Sequence, residues 1–260
     1  MDIKFYKYQG TGNDFIIVDN RDETFKKEKD IIANMCHRRF GVGADGLILL
    51  ENDDEVDFRM VYYNADGHES TMCGNGGRCI VAFAKMLGLI DKHTTFRAID
   101  GLHKAWIIED VVSLELHVKA QPLRDTNGFF IHTGSPHLVV PVSDPEQISV
   151  ESEGRTLRYD PCYQTTGGVN VNFMSAPIEN SKIYVRTYER GVEAETLSCG
   201  TGVTAAALVA SEIYGINESV TVVTKGGTLR VGFSKKGSTF EHVSLTGEAK
   251  FVFEGKYWIM

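Results

Sequence analysis

One short motif occurs twice in the chain, and this repetition constrains the fold more than any other feature. The first copy reads Cys-Gly-Asn-Gly at positions 73–76, and the second reads Cys-Gly-Thr-Gly at positions 199–202. The second cysteine follows the first by 126 positions (199 − 73), and a glutamate precedes each cysteine by four. The same offset aligns Gly41 with Gly167, and segment 57–62 with segment 183–188. The chain is therefore predicted to be an internal duplication.

A duplication predicts two similar domains related by an approximate two-fold axis, with both cysteine loops at their interface. Clean alternation of apolar and polar residues over 112–118 predicts the last strand of the first half. We place the boundary at Ala120-Gln121-Pro122. The domains are thus predicted as 1–120 and 121–252, with the closing strand, about 253–260, returning to the first domain.

Each cysteine motif is predicted to begin a helix. Apolar residues recur at the helical spacing i, i+3, i+4, i+7 after both motifs. They are Ile80, Phe83, Ala84 and Leu87 in the first half, and Ala206, Val209, Ala210 and Ile213 in the second. Gly88 and Gly215 then stand where a helix would be capped at its C-terminus.

A thiol at a helix N-terminus loses its proton more readily than a free thiol, because the unpaired N–H groups and the helix dipole stabilise negative charge. Removing a proton next to a carboxylate usually requires an electron sink such as pyridoxal phosphate. Inverting a stereocentre also requires an acid on the face opposite the base. Two thiols on opposite faces meet that requirement, and the glycine turns would bind the carboxylate through backbone N–H groups. No cofactor is expected.

Composition excludes several other classes of protein. The 260 residues carry a net charge of −8, which favours neither nucleic acid nor an anionic membrane as a partner. No apolar stretch approaches the roughly 20 residues of a membrane span, and the first residues lack a signal-peptide core. Five cysteines without C-x-x-C spacing favour a reducing cytoplasm and predict no metal site.

One motif match is rejected on its context. Positions 41–46 fit G-x-G-x-x-G, the dinucleotide fingerprint, which must follow a strand and begin a helix. Here the match follows a predicted helix, 30–39, that would bury Ile31, Met35 and Cys36, and it leads into a predicted strand, 47–51. We therefore expect no nucleotide site.

Taken together, the motifs make the sequence similar to the diaminopimelate epimerase family over nearly its whole length. The matching stretches are 12–15, 41–45, 64–67, 72–78, 169–171, 188–191 and 195–202. The resemblance implies an α+β fold of two pseudo-symmetric domains, each a mixed sheet curled around a central helix. It implies cofactor-independent interconversion of LL- and meso-diaminopimelate on the route to lysine and peptidoglycan, in a cytoplasmic homodimer.

The resemblance also implies roles for individual residues. Cys73 and Cys199 would be the catalytic pair, and Glu189 and His137 would set their protonation states. The substrate would be bound by Asn13, Asn64, Gly74, Asn75, Asn170, Glu189, Arg190, Gly200 and Thr201. Arg190 suits the distal carboxylate, because a guanidinium binds a carboxylate through two parallel hydrogen bonds.

Two positions depart from the family pattern. Ser135 stands where the family has asparagine in Asn-Pro-His, and Gly46 stands where some members have glutamine. Each departure puts one substrate contact in question and leaves the proton chemistry untouched.

Three other functions remain open. A proline or hydroxyproline racemase is the nearest, although those relatives favour histidine where this chain has Asn75. A non-catalytic binder or an isomerase on the same scaffold is the second, since fold does not fix function. The third is a redox sensor using a Cys73–Cys199 disulfide.

Overall fold

The structure, a computed structural model, describes residues 2–259 apart from the side chain of Asn180. Contacts divide the chain into two compact units. The N-terminal unit runs to Leu114 and resumes at Gly247, and the C-terminal unit spans Glu115–Thr246. The predicted domains 1–120 and 121–252 stay a prediction, because a division by contacts does not establish independent folding. Met1 and Met260 lie outside the described residues.

The N-terminal unit contains one long central helix and a mixed sheet. Its elements are β1 (Asp2–Gly10), β2 (Asn13–Asp19), α1 (Lys29–Cys36), β3 (Gly46–Glu51), β4 (Phe58–Asn64), β5 (Glu69–Ser70), α2 (Gly74–Met86), β6 (His93–Ala98), β7 (Gly101–Ile108) and β8 (Val111–Leu116). From β1 the strands pair in the order β1, β2, β3, β4, β6, β7, β8. The β2–β3 and β4–β6 pairs are parallel, and the other pairs are antiparallel.

The C-terminal unit repeats this arrangement. Its elements are β9 (Leu123–Arg124), β10 (Phe129–His132), β11 (Pro136–Pro141), α3 (Val150–Arg158), β12 (Asn170–Met174), β13 (Lys182–Glu189), β14 (Ala194–Thr196), α4 (Gly200–Tyr214), β15 (Ser219–Thr224), β16 (Gly227–Lys236) and β17 (Thr239–Glu248). The order from β10 is β10, β11, β12, β13, β15, β16, β17, with β11–β12 and β13–β15 parallel. The same sequence of parallel and antiparallel pairs confirms the predicted α+β duplication.

A further strand, β18 (Lys250–Trp258), pairs antiparallel with β1. Short 3₁₀ helices at Pro145–Gln147, Pro161–Thr166 and Glu179–Ser181 complete the described elements. Among residues 2–259, no helix has the length and apolar character needed to cross a membrane.

Each central helix is buried by the sheet of its own unit. Helix α2 contacts β1, β2, β3, β7 and β18, which lie far apart in the strand order, so the sheet curls around it. Helix α4 is surrounded in the same way by β10, β11, β12, β13, β15 and β16. Burying a helix on all sides requires small or apolar side chains, which explains why α4 is rich in alanine and valine.

Glycine ends both central helices, as the sequence predicts. Gly88 adopts φ +73°, its N–H bonds Lys85 O at 2.9 Å, and Leu89 N–H bonds Ala84 O at 3.0 Å. This is the Schellman pattern. Gly215 adopts φ +70° and bonds Ser211 O, the simpler left-handed cap. These caps fix where each helix stops, and the cysteine loops fix where each begins.

The structure corrects the first predicted helix. It spans Lys29–Cys36 rather than 30–39, and it buries Ile32 where Ile31 was expected. The helix ends early because His37 is extended, with φ −67° and ψ 119°. Gly41 N–H then bonds His37 O, and the chain turns into the loop before β3.

Candidate active site

Both predicted catalytic cysteines occupy the N-cap position of a central helix. Cys73 caps α2 with φ −89° and ψ 131°, and Cys199 caps α4 with φ −112° and ψ 113°. The Cys73 carbonyl accepts from Gly77 N–H at 2.7 Å, and the Cys199 carbonyl accepts from Val203 N–H at 2.8 Å. Each sulfur therefore lies beside the positive end of a helix, with Cys73 half-buried and Cys199 8% exposed.

Asn13 organises the polar side of the first cysteine loop. Its Oδ1 lies 3.6 Å from Cys73 Sγ and accepts from Asn75 Nδ2 at 3.2 Å. Its Nδ2 donates to Asp45 Oδ2 at 2.6 Å. Because Asp45 accepts only, the amide of Asn13 has one orientation, and its oxygen faces the thiol. Three residues that the sequence places far apart thus meet at one point.

A cluster of charged residues, which contacts Asn13 through Asp45, lies next to the first cysteine loop. Lys7 Nζ pairs with Asp14 Oδ2 at 2.7 Å, and Arg38 pairs with Asp14 and Asp45, each at 2.6 Å. Lys7 Nζ also donates to Gly43 O. Burial alone would raise the pKa of Asp14, but its hydrogen bonds to Arg38 and Lys7 and their charges lower the pKa to about 2. The loop 41–45, where sequence showed a false dinucleotide match, therefore anchors this cluster.

Arg78 lies fully buried beneath the first cysteine loop. Its guanidinium donates to Asn75 Oδ1 at 2.9 Å and to Gly74 O at 3.3 Å. Among residues 2–259 no carboxylate pairs with it, and its Nε has no hydrogen-bond partner. Desolvation lowers the pKa of Arg78, and negative charge on Cys79 or Cys73 would raise it. This uncompensated cation is costly to bury and holds Asn75 in place.

Asn64 and Gly46 lie opposite each other where β4 ends and β3 begins. The Asn64 side chain is exposed. A Cβ added at Gly46 would lie 2.6 Å from Tyr62 Cε2 and 2.6 Å from Tyr63 O. The Tyr62 ring therefore fills the space that a side chain at position 46 would need, so glycine is required there in this chain.

The second cysteine belongs to a chain of hydrogen bonds. Cys199 Sγ lies 3.5 Å from Thr201 Oγ1, which lies 3.0 Å from His137 Nε2. His137 Nδ1 lies 3.1 Å from Asn172 Nδ2. His137 is fully buried, and burial, with smaller contributions from the charges of His132 and Arg190, lowers its pKa to about 3. His137 is thus neutral near pH 7.

Ser135, Asn170 and Arg190 form a separate polar cluster at the starts of β11 and β12. Asn170 Nδ2 donates to Ser135 Oγ at 2.9 Å, and Asn170 Oδ1 accepts from Arg190 N–H at 2.9 Å. The Arg190 guanidinium donates to Thr166 O at 3.1 Å and approaches Ser135 Oγ at 3.5 Å. Its partners in this cluster are neutral oxygens, and no ion pair joins it to a carboxylate among the described residues.

Glu189 and Arg190 lie at the junction between strand β13 and the turn that follows it. Strand β13 ends at Glu189, and Arg190 already belongs to the following turn. Both side chains are half-buried. Because the strand ends between them, the two side chains need not point to opposite faces of the sheet.

The remaining cysteines behave differently from the pair. Cys36 and Cys79 are buried, and desolvation raises the pKa of each thiol to about 12. Cys162 is exposed, and its hydrogen bond to Asp160 raises its pKa. Within residues 2–259 no group of three or more His, Cys, Asp or Glu has the geometry to hold a metal ion.

Sequence reasoning missed three residues of these networks: Asp45, Arg78 and Asn172. Signals for two were present. Arg78 is the only strongly charged residue in the first two turns of a buried helix, and Asn172 follows Asn170 at strand spacing, so both face one side of a buried strand. Asp45 stands in a glycine-rich loop, where a turn-forming role was the simpler expectation.

Comparison with known proteins matches the chain to one family over most of its length. The family model described as diaminopimelate epimerase matches residues 5–110 and 129–252. A diaminopimelate epimerase of Flavobacterium psychrophilum is 51% identical over 97% of this chain and 99% of its own length. A diaminopimelate epimerase of Aquifex aeolicus is 42% identical over 98% of this chain and 97% of its own length.

More distant solved structures share the fold. A Bacillus anthracis protein of the PhzF phenazine biosynthesis family superimposes with a TM-score of 0.79 at 15% identity, covering 100% of both chains. A hydroxyproline epimerase of Agrobacterium vitis superimposes with a TM-score of 0.69 at 15% identity, covering 98% of this chain and 92% of its own. At such low identity these likenesses establish the fold alone.

Proposed function

Because this chain belongs to the diaminopimelate epimerase family, we propose that it interconverts LL- and meso-2,6-diaminopimelate by proton transfer at one α-carbon. The observation that carries the proposal is the pair of cysteines at the N-caps of duplicated helices, within a sequence 51% identical to a diaminopimelate epimerase. The protein would be an isomerase that supplies lysine and peptidoglycan synthesis.

The chemistry conserves protons at every step. The thiolate of one cysteine takes the α-proton and becomes a thiol, leaving the electron pair on the α-carbon. The thiol of the other cysteine gives its proton to the opposite face and becomes a thiolate. One stereocentre is inverted, and the roles of the two sulfurs are exchanged for the reverse reaction. The proposal requires Cys73 and Cys199 to reach opposite faces of the same carbon.

The reacting carboxylate would bind at the starts of the two central helices. The N–H groups in the first turn of each helix, from Gly74 and Asn75 and from Gly200 and Thr201, lie at the positive end of the helix dipole and favour an anion. Their hydrogen bonds would strengthen as charge moves from the α-carbon onto the carboxylate oxygens. Asn13 and Asn64 would hold the rest of this end of the substrate.

The distal end of the substrate carries a second carboxylate and a second ammonium. Arg190 would bind the carboxylate, which is supported by the absence of an ion pair to it among the described residues. Ser135 Oγ accepts from Asn170, so its own hydrogen remains available for the same carboxylate. Glu189 would act near the ammonium group and the thiols.

We also propose how the chain is divided into domains, where it acts and how it assembles. The two units would act as domains 1–120 and 121–252 that close over the substrate, in the cytoplasm, where thiols stay reduced. The protein would be a homodimer. Strand β18 supports this, because Phe251, Val252, Phe253 and Trp258 are 45–68% exposed on a strand of the N-terminal unit. Light scattering after size exclusion tests the dimer, and a mass near 28.9 kDa would contradict it.

A proline-type racemase is the alternative that one solved relative brings into view, since a hydroxyproline epimerase shares the fold. Asn75 argues against it, because proline-type racemases favour histidine at this position. In this chain the Asn75 amide is held between Arg78 and Asn13. The Arg190 guanidinium, which forms no ion pair with a carboxylate among the described residues, also fits a substrate with a second carboxylate, which proline lacks.

The test is proton NMR of LL-diaminopimelate in D2O with the reduced protein. The proposal predicts loss of the α-proton signal together with formation of the meso isomer, and no net conversion with Cys73→Ala or Cys199→Ala. Proline and hydroxyproline serve as matched substrates. Turnover of either one instead of diaminopimelate, or binding of diaminopimelate without proton exchange, would refute the proposal.

A further inference from the structure

A line of hydrogen bonds leads from the interior of the C-terminal unit to the Cys199 sulfur. It runs from Leu138 O to Asn172 Nδ2 (3.2 Å), then to His137 Nδ1 (3.1 Å). From His137 Nε2 it continues to Thr201 Oγ1 (3.0 Å) and on to Cys199 Sγ (3.5 Å). Asn172 and His137 are fully buried, so water does not compete for the hydrogen bond between them.

The direction of the line is set at Asn172. Its Nδ2 faces the carbonyl oxygen of Leu138, which can only accept, so the nitrogen and oxygen of the amide cannot be exchanged. Its Oδ1 accepts from Thr187 Oγ1 at 3.0 Å, which agrees with that orientation. An amide nitrogen only donates. His137 Nδ1 must therefore accept, and it carries no proton.

The tautomer of His137 follows from this. Burial, together with the charges of His132 and Arg190, keeps its pKa near 3, so the ring is neutral at physiological pH. A neutral imidazole with a bare Nδ1 carries its hydrogen on Nε2. Nε2 therefore donates to Thr201 Oγ1, and the hydroxyl hydrogen of Thr201 is left to point at its other neighbour in the line, the Cys199 sulfur.

We propose that Asn172 is a positioning residue that holds His137 as the Nε2–H tautomer and thereby makes the Thr201 hydroxyl a hydrogen-bond donor to the Cys199 thiolate. The proposal rests on the proposed function only in that Cys199 must exchange a proton there. A donor aimed at sulfur stabilises the thiolate over the thiol.

The first cysteine meets a group of the opposite polarity. Asn13 commits its nitrogen to Asp45 and presents Oδ1 to Cys73 Sγ, so the thiol there is the donor. Arg78, on the same helix as that loop, attracts negative charge on Cys73 and opposes this preference. The proposal is therefore confined to Cys199. In the C-terminal unit the position equivalent to Arg78 is Thr204, an uncharged residue that bonds Gly200 O at 2.9 Å.

The tautomer can be read directly by long-range ¹H–¹⁵N correlation on histidine-labelled protein without substrate. His137 is assigned by loss of its signals in His137→Gln. We expect a protonated Nε2 and a bare Nδ1 from pH 5 to 9. A proton on Nδ1 in the wild-type protein, as the other tautomer or as imidazolium, would overturn the proposal.

Asn172→Asp tests the cause of that tautomer. A carboxylate at this position only accepts, so it should draw a proton onto His137 Nδ1. Thr187→Val is the matched control, because it removes the bond to the other end of the Asn172 amide and should leave Nδ1 bare. A bare Nδ1 in the aspartate variant would contradict the assignment. Should that variant not fold, the wild-type spectrum still decides the tautomer.

Alkylation of Cys199 tests the effect on the thiol. The rate of iodoacetamide reaction is measured against pH, with the Cys199 peptide quantified by mass spectrometry. We expect Thr201→Val to raise the midpoint by about one pH unit, about tenfold in rate below it, and Thr201→Ser to restore it. Thr204→Val, which removes a hydroxyl one turn later, should not shift it. An unchanged midpoint in Thr201→Val would refute the proposal.

These readouts use no diaminopimelate. A protein that shows the expected tautomer and midpoints but no turnover would refute the proposed function. It would still support the proposed line of hydrogen bonds from Asn172 to Cys199. A protein that turns over diaminopimelate with a Nδ1-protonated His137 would do the reverse.

Discussion

Replacing Gly202 with alanine should destabilise the protein around Cys199, while the same change at its duplicate, Gly76, should be tolerated. Both glycines lie in the first turn of a central helix, 126 positions apart (202 − 76). A Cβ at Gly76 would meet the flexible end of Ile48 at 3.2 Å. A Cβ at Gly202 would lie 2.3 Å from Asn172 Oδ1, and the Asn172 amide is held by hydrogen bonds to Thr187 at its oxygen and to His137 and Leu138 at its nitrogen.

The expected magnitudes differ for this reason. Alanine gains about 0.5–1 kcal/mol over glycine within a helix, which offsets most of the small adjustment required of Ile48. At Gly202 the overlap costs about 1–3 kcal/mol, and displacing the Asn172 amide leaves buried polar groups unpaired for about 1–3 kcal/mol more. The net loss at Gly202 is therefore about 3 kcal/mol.

Urea unfolding followed by circular dichroism measures this difference. With a slope of about 3 kcal/mol per molar, Gly202→Ala should lower the midpoint by about 1 M, and Gly76→Ala by less than about 0.3 M. Alkylation of Cys199 should also shift in Gly202→Ala, because Asn172 directs the hydrogen bonds that reach this thiol. Equal midpoints, or a larger loss in Gly76→Ala, would refute the reasoning from these contacts.

Three other expectations concern single positions. The pKa of Asp14 is about 2 in the folded protein and 3.8 in the unfolded chain, so its contacts with Lys7 and Arg38 contribute their full stability at pH values above 3.8. About 2 kcal/mol of the free energy of unfolding should be lost as the pH falls from about 5 to 2. The urea midpoint of Asp14→Asn should therefore fall less over this pH range than that of the wild-type protein. Arg190→Lys should raise KM for diaminopimelate at least about tenfold with a smaller change in kcat, because lysine cannot form the two parallel bonds; equal KM values in steady-state assays would contradict this. Gly215→Ala should destabilise by about 1 kcal/mol in thermal unfolding, because φ is +70° there, and an unchanged melting temperature would count against the cap.

The fold was largely predictable because its main signals are local and repeated. Helical spacing after each cysteine, terminal glycines at 88 and 215, and one offset between the halves predicted α2 and α4 and the duplication. Helix α3 escaped notice since it is polar and contains Gly154. The structure explains that glycine, because a Cβ there would lie 2.4 Å from Tyr188 Cβ. Glycine permits the close packing of α3 on β13, a tertiary reason that periodicity cannot reveal.

The sequence named candidate residues, but it did not reveal the hydrogen bonds that connect them. The repeated motif identified Cys73 and Cys199, spacing placed both thiols at helix starts, and the family resemblance added His137. The partners Asp45 and Asn172 lie on other strands and loops, and they meet the site only through the sheet register, such as the parallel pairing of His137 with Asn170. Hydrogen-bond direction depends on those long-range neighbours, so sequence could not assign it.

In the proposed mechanism two sulfurs, rather than one base, move the proton. The most direct test is the early reaction of LL-diaminopimelate in D2O, with deuterium followed in both the product and the remaining substrate. A two-base mechanism predicts meso product carrying solvent deuterium while the unreacted LL isomer keeps its α-proton. Product that retains the original proton, or exchange into the LL pool that outpaces conversion, would show a single base and contradict the account.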